Sequence, residues 1–256
     1  MPTNVIVETM DRIKRIEIDR ADKKNALTTA MYASMADALI AADVDGAVRV
    51  ILIHGRPDCF TAGNDLTDFL QRPPHSEEEG EAFRFIRTIA ATKKPIVAAV
   101  GGAAVGIGTT MLLHCELVFA APDARFQLPF VSLGLVPEAA SSFLLPMIAG
   151  YQRAAELLLL ARPFGADKAL AAGFVTEIIQ EDELLEHARE AAGALAALPP
   201  ASVQLTKRLM KRSREALVAE AMAEEGKLFR ERLAGPEAKE AMTAFFEKRR
   251  PDFSKF

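Results

Sequence analysis

Two glycine-bearing loops and one isolated carboxylate hold the residue types best suited to chemistry in this sequence. The first loop is Phe60-Thr61-Ala62-Gly63-Asn64-Asp65-Leu66 and the second is Gly102-Ala103-Ala104-Val105-Gly106-Ile107-Gly108. Each follows a short apolar run. Glycine lets a backbone take angles closed to other residues and come close to a ligand. N–H groups at a helix start, with the helix dipole, favour negative charge. Two such loops aimed at one oxygen would make an oxyanion hole; two ordinary turns with close helix packing would look the same.

The carboxylate is Glu138. It lies in Gly134-Leu135-Val136-Pro137-Glu138-Ala139-Ala140-Ser141-Ser142, after the segment Phe126-Gln127-Leu128-Pro129-Phe130. A glutamate in apolar surroundings resists ionisation, so its pKa rises toward the range useful for proton transfer. The alternative is a first-turn helix glutamate favoured by the dipole. Other chemistries fail on spacing. His54, His75, His114 and His187 show no metal-ligand spacing, so no metal site is expected. Gly106-Ile107-Gly108 begins like a dinucleotide fingerprint, but Met111 stands at the third glycine position, and no Gly-Lys-Ser/Thr phosphate loop is present.

The elements that must position these residues follow from hydrophobic periodicity. Val5–Val7 and Ile13–Ile18 alternate as half-buried strands, with Met10–Arg12 as the turn. Arg20–Asn25 is a polar loop, and Thr28 reads as the N-cap of a helix carrying Met31, Met35, Leu39 and Ile40. Val48–Ile53 is a β-branched run and Pro95–Val100 a similar one, both typical of strands buried on both faces, and Leu117–Ala120 reads as another strand. Pro57–Asp65 and Gly101–Ala104 read as loops, and Pro73, Pro74 and Glu77–Glu79 as a polar surface excursion. Helices are predicted over Glu81–Thr92 and from Val105–Gly106 to Leu113. The alternation of strand, loop and helix predicts a mixed α/β fold with crossover helices. From Ala139 onward strands nearly vanish and helices are predicted near Ser142–Ala149, Tyr151–Leu160, Glu183–Ala197, Pro200–Arg212, Glu215–Arg232 and Pro236–Lys248. Pro199-Pro200 divides a core, 1–198, from a helical region, 199–256.

Half of the 256 residues are hydrophobic, enough for a sizeable core, and the net charge of −4 offers no nucleic-acid footprint. Two basic clusters, Lys207, Arg208, Lys211, Arg212 and Arg214, then Lys248, Arg249 and Arg250, read as solvated helix faces or as docks for an anionic ligand's phosphates. Cys59 and Cys115 are read as reduced thiols. Without a signal-peptide core or a membrane-length apolar stretch, the expectation is a cytoplasmic protein with no membrane association.

Together these segments resemble the crotonase superfamily, the enoyl-CoA hydratases and isomerases. The likeness runs in order through Lys24-Asn25-Ala26-Leu27, both glycine loops to Cys115-Glu116, Phe126–Ser142, Ala171-Ala172-Gly173-Phe174-Val175 and Met242–Arg249. The resemblance implies a ββα spiral core followed by a C-terminal helical trimerisation region, assembled as a homotrimer or a dimer of trimers. It implies an acyl-CoA thioester substrate, with no cofactor beyond the coenzyme A that the substrate carries. The N–H groups of Asn64 and Ile107 would form the oxyanion hole. Lys24, Ala26, Ala62, Asp65 and Leu66 would line the coenzyme A site, joined by Phe245 and Lys248 across a subunit interface.

Family hydratases carry two water-activating glutamates, and here Thr110 and Phe130 stand in their places. The pattern Pro137-Glu138-Ala139-Ala140-Ser141-Ser142 instead resembles the Δ3,Δ2-enoyl-CoA isomerase branch, where one glutamate shuttles a proton. Thr110, Phe130 and Leu133 would border the acyl pocket, Leu128 and Leu135 would help keep it dry, and the Asn64 side chain would orient Glu138. The alternatives are hydration or another acyl-CoA lyase or hydrolase reaction on the same scaffold, and a non-catalytic acyl-CoA-binding subunit.

Overall fold

The computed structural model describes residues 4–71 and 80–256; the expected excursion at Pro73, Pro74 and Glu77–Glu79 lies outside the described residues. In chain order the elements begin with β1 (Val5–Met10), β2 (Ile13–Ile18), α1 (Thr29–Val44), β3 (Val50–His54), β4 (Cys59–Thr61), α2 (Leu66–Gln71) and α3 (Glu81–Ala91). They continue with β5 (Ile96–Val100), β6 (Ala103–Val105), α4 (Ile107–Thr110), β7 (Leu117–Ala120), β8 (Arg125–Gln127), α5 (Ser141–Ala149), α6 (Tyr151–Leu160), β9 (Phe164–Gly165), α7 (Ala166–Ala171) and β10 (Glu177–Ile178). Four helices close the chain: α8 (Leu184–Ala197), α9 (Pro200–Lys211), α10 (Glu215–Leu233) and α11 (Pro236–Phe246).

Six strands form one sheet in the order β1-β2-β3-β5-β7-β10, antiparallel only between β1 and β2. As expected for a parallel centre, every residue of β3 and β5 is buried. Their side chains alternate between two cores. Val50 and Leu52 of β3, with Val97 and Ala99 of β5, face Leu184, Ala188, Ala192 and Ala196 of α8. Ile51, Ile53, Ile96, Ala98 and Val100 face the larger core with Met31, Met35 and Leu39 of α1 and Phe85, Ile86 and Ile89 of α3. Each Val, Leu, Ile, Met or Phe among them buries enough apolar surface to contribute about 1.5–3 kcal/mol. The Thr28 hydroxyl accepts from the Met31 N–H and starts α1.

Three expectations need correction. β1 does not alternate: only Val5 is buried, and the rest of this edge strand is exposed. The stretches read as loops at 57–65 and 101–104 contain β4 and β6. With β8 and β9 these build a second, four-stranded sheet. Strands of two or three residues are too short to show a period of two. The helix expected from Val105–Gly106 to Leu113 is four α-helical residues followed by a 3-10 turn, Met111–His114.

The helical region 199–256 packs back onto the core. Phe229, Leu233, Ala238 and Met242 belong to the same hydrophobic cluster as the sheet. Two lysines of the first basic cluster serve this docking. Lys207 is buried, pairing with Glu116 at 2.8 Å and donating to the Lys94 carbonyl, and Lys211 Nζ donates to the Ala90 carbonyl. Lys207 is therefore neither a solvated face nor a phosphate dock. In the second cluster Arg249 is paired with Glu240 and Glu247.

Candidate active site

The two glycine loops meet because β4 and β6 are parallel neighbours, with Thr61 beside Ala104. Both chains then leave the sheet at the same end. Gly63 has φ +87, and a Cβ there would stand 2.8 Å from the Val105 carbonyl oxygen, so the loops touch. Gly106 takes φ 57 and ψ −117, a conformation that L side chains rarely adopt, while its N–H donates to Gln127 O at 2.9 Å. Ile107 is the first residue of α4, so its N–H has no partner within the helix. Leu27 donates to Gly63 O and accepts from Asp65 N, in a parallel bridge that turns the intervening Asn64 peptide away from Leu27. Four residues of α-helix build little dipole, so an anion held here would depend on these N–H donors rather than on the dipole.

The Asn64 side chain does not follow expectation. Its Oδ1 accepts from the Tyr32 hydroxyl, and no Asn64–Glu138 hydrogen bond occurs among the described residues. Burial, then the Glu138 carboxyl, hold the Tyr32 pKa well up, so its hydroxyl stays a donor.

Glu138 is 5 % exposed, and its carboxyl accepts a long hydrogen bond, 3.4 Å, from the Thr110 hydroxyl. Its pKa is pushed up to about 8, first by burial and then by the nearby charge of Glu225, against the Thr110 hydrogen bond. The two following alanines, Ala139 and Ala140, have φ of 59 and 56. Two side chains to which the sequence reading gives no role here hold this turn. Glu225 of α10 accepts from Ala140 N at 2.6 Å and from Ser142 N at 2.9 Å, and His114 Nε2 lies 2.8 Å from Ala139 O. Burial lowers the His114 pKa to about 4, so the ring is neutral and Nε2 carries the donated proton. Within Glu224-Glu225 a buried acid looks like any solvated helix face; no local signal marks it. His114 had been noted, as an isolated residue.

Glu138 and His114 line a cavity of about 1050 Å³, walled by Phe83, Ile86, Leu144, Val218 and Met222. Thr110, Phe130 and Leu133, the expected pocket residues, are not among its lining. Thr110 nevertheless touches the Glu138 carboxyl. Phe130, Leu128 and Leu135 are buried, and Leu133 is partly buried against the same core.

The expected coenzyme A patch is contiguous in part. Ala62 N donates to Lys24 O, and Arg20 bonds both Ala26 O and the Asp65 carboxylate at 2.7 Å. Asp65 also caps α2, which begins at Leu66, through Thr67 N and Asp68 N. Partial burial opposes its charge, but these hydrogen bonds prevail and lower its pKa. Its side chain is thus committed to structure. Phe245 is exposed at the end of α11 and Lys248 follows it with φ 54. No hydrogen bond or ion pair among the described residues joins either to the patch within one chain. The described residues hold no cluster of metal-ligating side chains and no helix long and apolar enough to cross a membrane.

This geometry has known counterparts. The family model described as "Enoyl-CoA hydratase/isomerase" matches residues 8–255. A probable enoyl-CoA hydratase, echA8, of Mycobacterium leprae is 30% identical over 98% of this chain and 97% of its own. Enoyl-CoA delta isomerase 2 of Homo sapiens is 34% identical over 96% of this chain and 64% of its own. A crystal structure of an enoyl-CoA hydratase/isomerase from Pseudoalteromonas atlantica superposes with a TM-score of 0.93 at 42% identity, covering 98% of this chain and 100% of that one. The mixed α/β fold with its C-terminal helices is thus the crotonase fold, and the chain belongs to the enoyl-CoA hydratase/isomerase family of acyl-CoA enzymes.

Proposed function

We propose that this enzyme is a Δ3,Δ2-enoyl-CoA isomerase. The observation that carries the proposal is a buried carboxyl, Glu138, pushed up to about pKa 8; by the family resemblance, Thr110 and Phe130 stand where hydratases carry their two water-activating glutamates. Glu138 removes a proton from C2 of a 3-enoyl thioester. The charge moves onto the thioester oxygen, which accepts from the N–H groups of Asn64 and Ile107. The same carboxyl returns the proton at C4, giving the conjugated 2-enoyl thioester. One residue suffices because it is first base and then acid. A pKa near 8 suits both roles better than an ordinary carboxylate would. The apolar side chains of Phe83, Ile86, Leu144, Val218 and Met222 around Glu138 limit water that would compete for the shuttled proton.

Lys24, Ala26, Ala62 and Leu66 bind the coenzyme A portion, with Asp65 acting through the loop it caps. Phe245 and Lys248 reach that site from a neighbouring subunit of a homotrimer or dimer of trimers, with 199–256 as the assembling region. No further cofactor takes part, and the enzyme works in the cytoplasm.

The test is trans-3-hexenoyl-CoA, followed by the ultraviolet absorbance of conjugation, beside crotonyl-CoA hydration. Conjugation without hydration is expected. Rapid hydration of crotonyl-CoA would instead support the second reading, that Glu138 alone activates water, which the hydratase names among the relatives favour.

A further inference from the structure

The turn that carries Glu138 is tied down from the far end of the chain. We propose that Glu225 is the positioning residue of Glu138: it anchors the turn from α10 and sets a fixed negative charge against the base. The inference rests on Glu138 being the proton shuttle.

Consecutive left-handed residues without a glycine persist only where the surroundings hold them. Here every residue of the turn is held. Glu138 O accepts from Ser141 N at 3.0 Å and from Ser141 Oγ at 2.6 Å, and Ala139 O accepts from His114. Glu225 Oε2 takes Ala140 N, while Oε1 takes both Ser142 N and Ser142 Oγ, the latter at 2.5 Å. All three partners of Glu225 donate, and two of them are free N–H groups at the start of α5, a helix of nine residues. A carboxylate that only accepts, at a helix N-terminus, is favoured as the anion.

Glu138 has a single long hydrogen bond and no such support. Of two buried carboxyls set near each other, the better-solvated one keeps its charge and the other ionises late. Burial raises the Glu225 pKa too, but its three hydrogen bonds oppose that. Other groups around Glu138 are Tyr32 from α1, Thr110 from α4 and the neutral His114. Lys207, Lys211, Arg214 and Glu215 line the same cavity. Lys207 is spent on Glu116. Lys211 is itself lowered to about 8, first by burial and then by Lys207. With both oxygens committed to Ala140 and Ser142, Glu225 is not a second catalytic acid.

The test is Glu225→Gln, read first without turnover. Carbon-13 NMR of glutamate-labelled protein follows the Glu138 carboxyl, assigned with Glu138→Gln. Its titration midpoint is expected to fall by about one unit, the scale of one neighbouring charge. An unmoved midpoint overturns the inference, whatever the substrate proves to be. Failure of the isomerase assignment shows separately, as no conjugation by the unaltered enzyme. In the isomerase assay the ascending limb of kcat/KM moves to lower pH with the midpoint, and kcat falls roughly 10–10²-fold through misplacement of the base. Glu225→Asp keeps the charge but shortens the reach, and covers the case in which the glutamine variant does not fold. It should leave the midpoint within a few tenths of a unit while lowering kcat; an unchanged kcat overturns the positioning role.

Discussion

The two halves of the site are built by opposite means. The arch at Gly63–Asn64 and Gly106–Ile107 is backbone, placed by parallel strands β4 and β6 and closed by Gly63 against Val105 O. The turn at Glu138–Ser142 is held by side chains: His114, Ser141 and Glu225, the last more than eighty residues away along the chain. A backbone donor tolerates changes in the side chain it belongs to. A side-chain clamp does not, because deleting one partner leaves a buried polar group unpaired.

Substitutions can break that contrast. The largest effect is expected at the base: Glu138→Gln should lower isomerase turnover by roughly 10²–10⁴-fold with thioester affinity nearly unchanged. Near-full activity in that variant would sink the mechanism. On the arch, Ile107→Pro deletes the N–H, and Gly63→Ala drives a Cβ into Val105 O and pushes the loops apart. Each should cost about 10²–10³-fold, with thermal unfolding as the folding control.

Next in size is the pH dependence. The base must be ionised to act, so kcat/KM should climb as pH rises toward about 8 and then level off; a flat profile across that range would name another base. The sign for stability is opposite. With a folded pKa above its unfolded value, Glu138 binds its proton more tightly in the native state. Its contribution is therefore full below the unfolded pKa and is lost as pH rises through about 8. Glu138→Gln should gain a few degrees in Tm relative to the parent at pH 9 and little at pH 5. The smallest effect sharpens the contrast: Ile107→Ala should stay within a few-fold of the parent, because its donor is main chain. A loss as large as that of Ile107→Pro would show that the side chain matters.

Legibility in the sequence followed the range of the interactions. β2, β3, β5 and β7 were readable because their burial repeats every one or two residues along the chain. β4, β6 and β8 were hidden by their shortness, although they are the strands that bring the loops together. Glu138 stood out by its apolar neighbours, while Glu225 did not, since its partners lie on another element. The same holds for Lys207: among Lys and Arg neighbours it looked solvated, yet it is buried against Glu116.

By itself, the sequence determined the mixed α/β pattern, the glycines that backbone angles require, and the apolar setting of Glu138. These are properties of single residues and of local spacing. Only the tertiary structure decided that the Gly63 and Gly106 loops touch, that Asn64 bonds Tyr32 rather than Glu138, and that Glu225 stands behind the base. Those depend on which surfaces the packing of α10 and the second sheet bring together, and burial, neighbouring charge and hydrogen bonds, not composition, set the charge of a carboxyl.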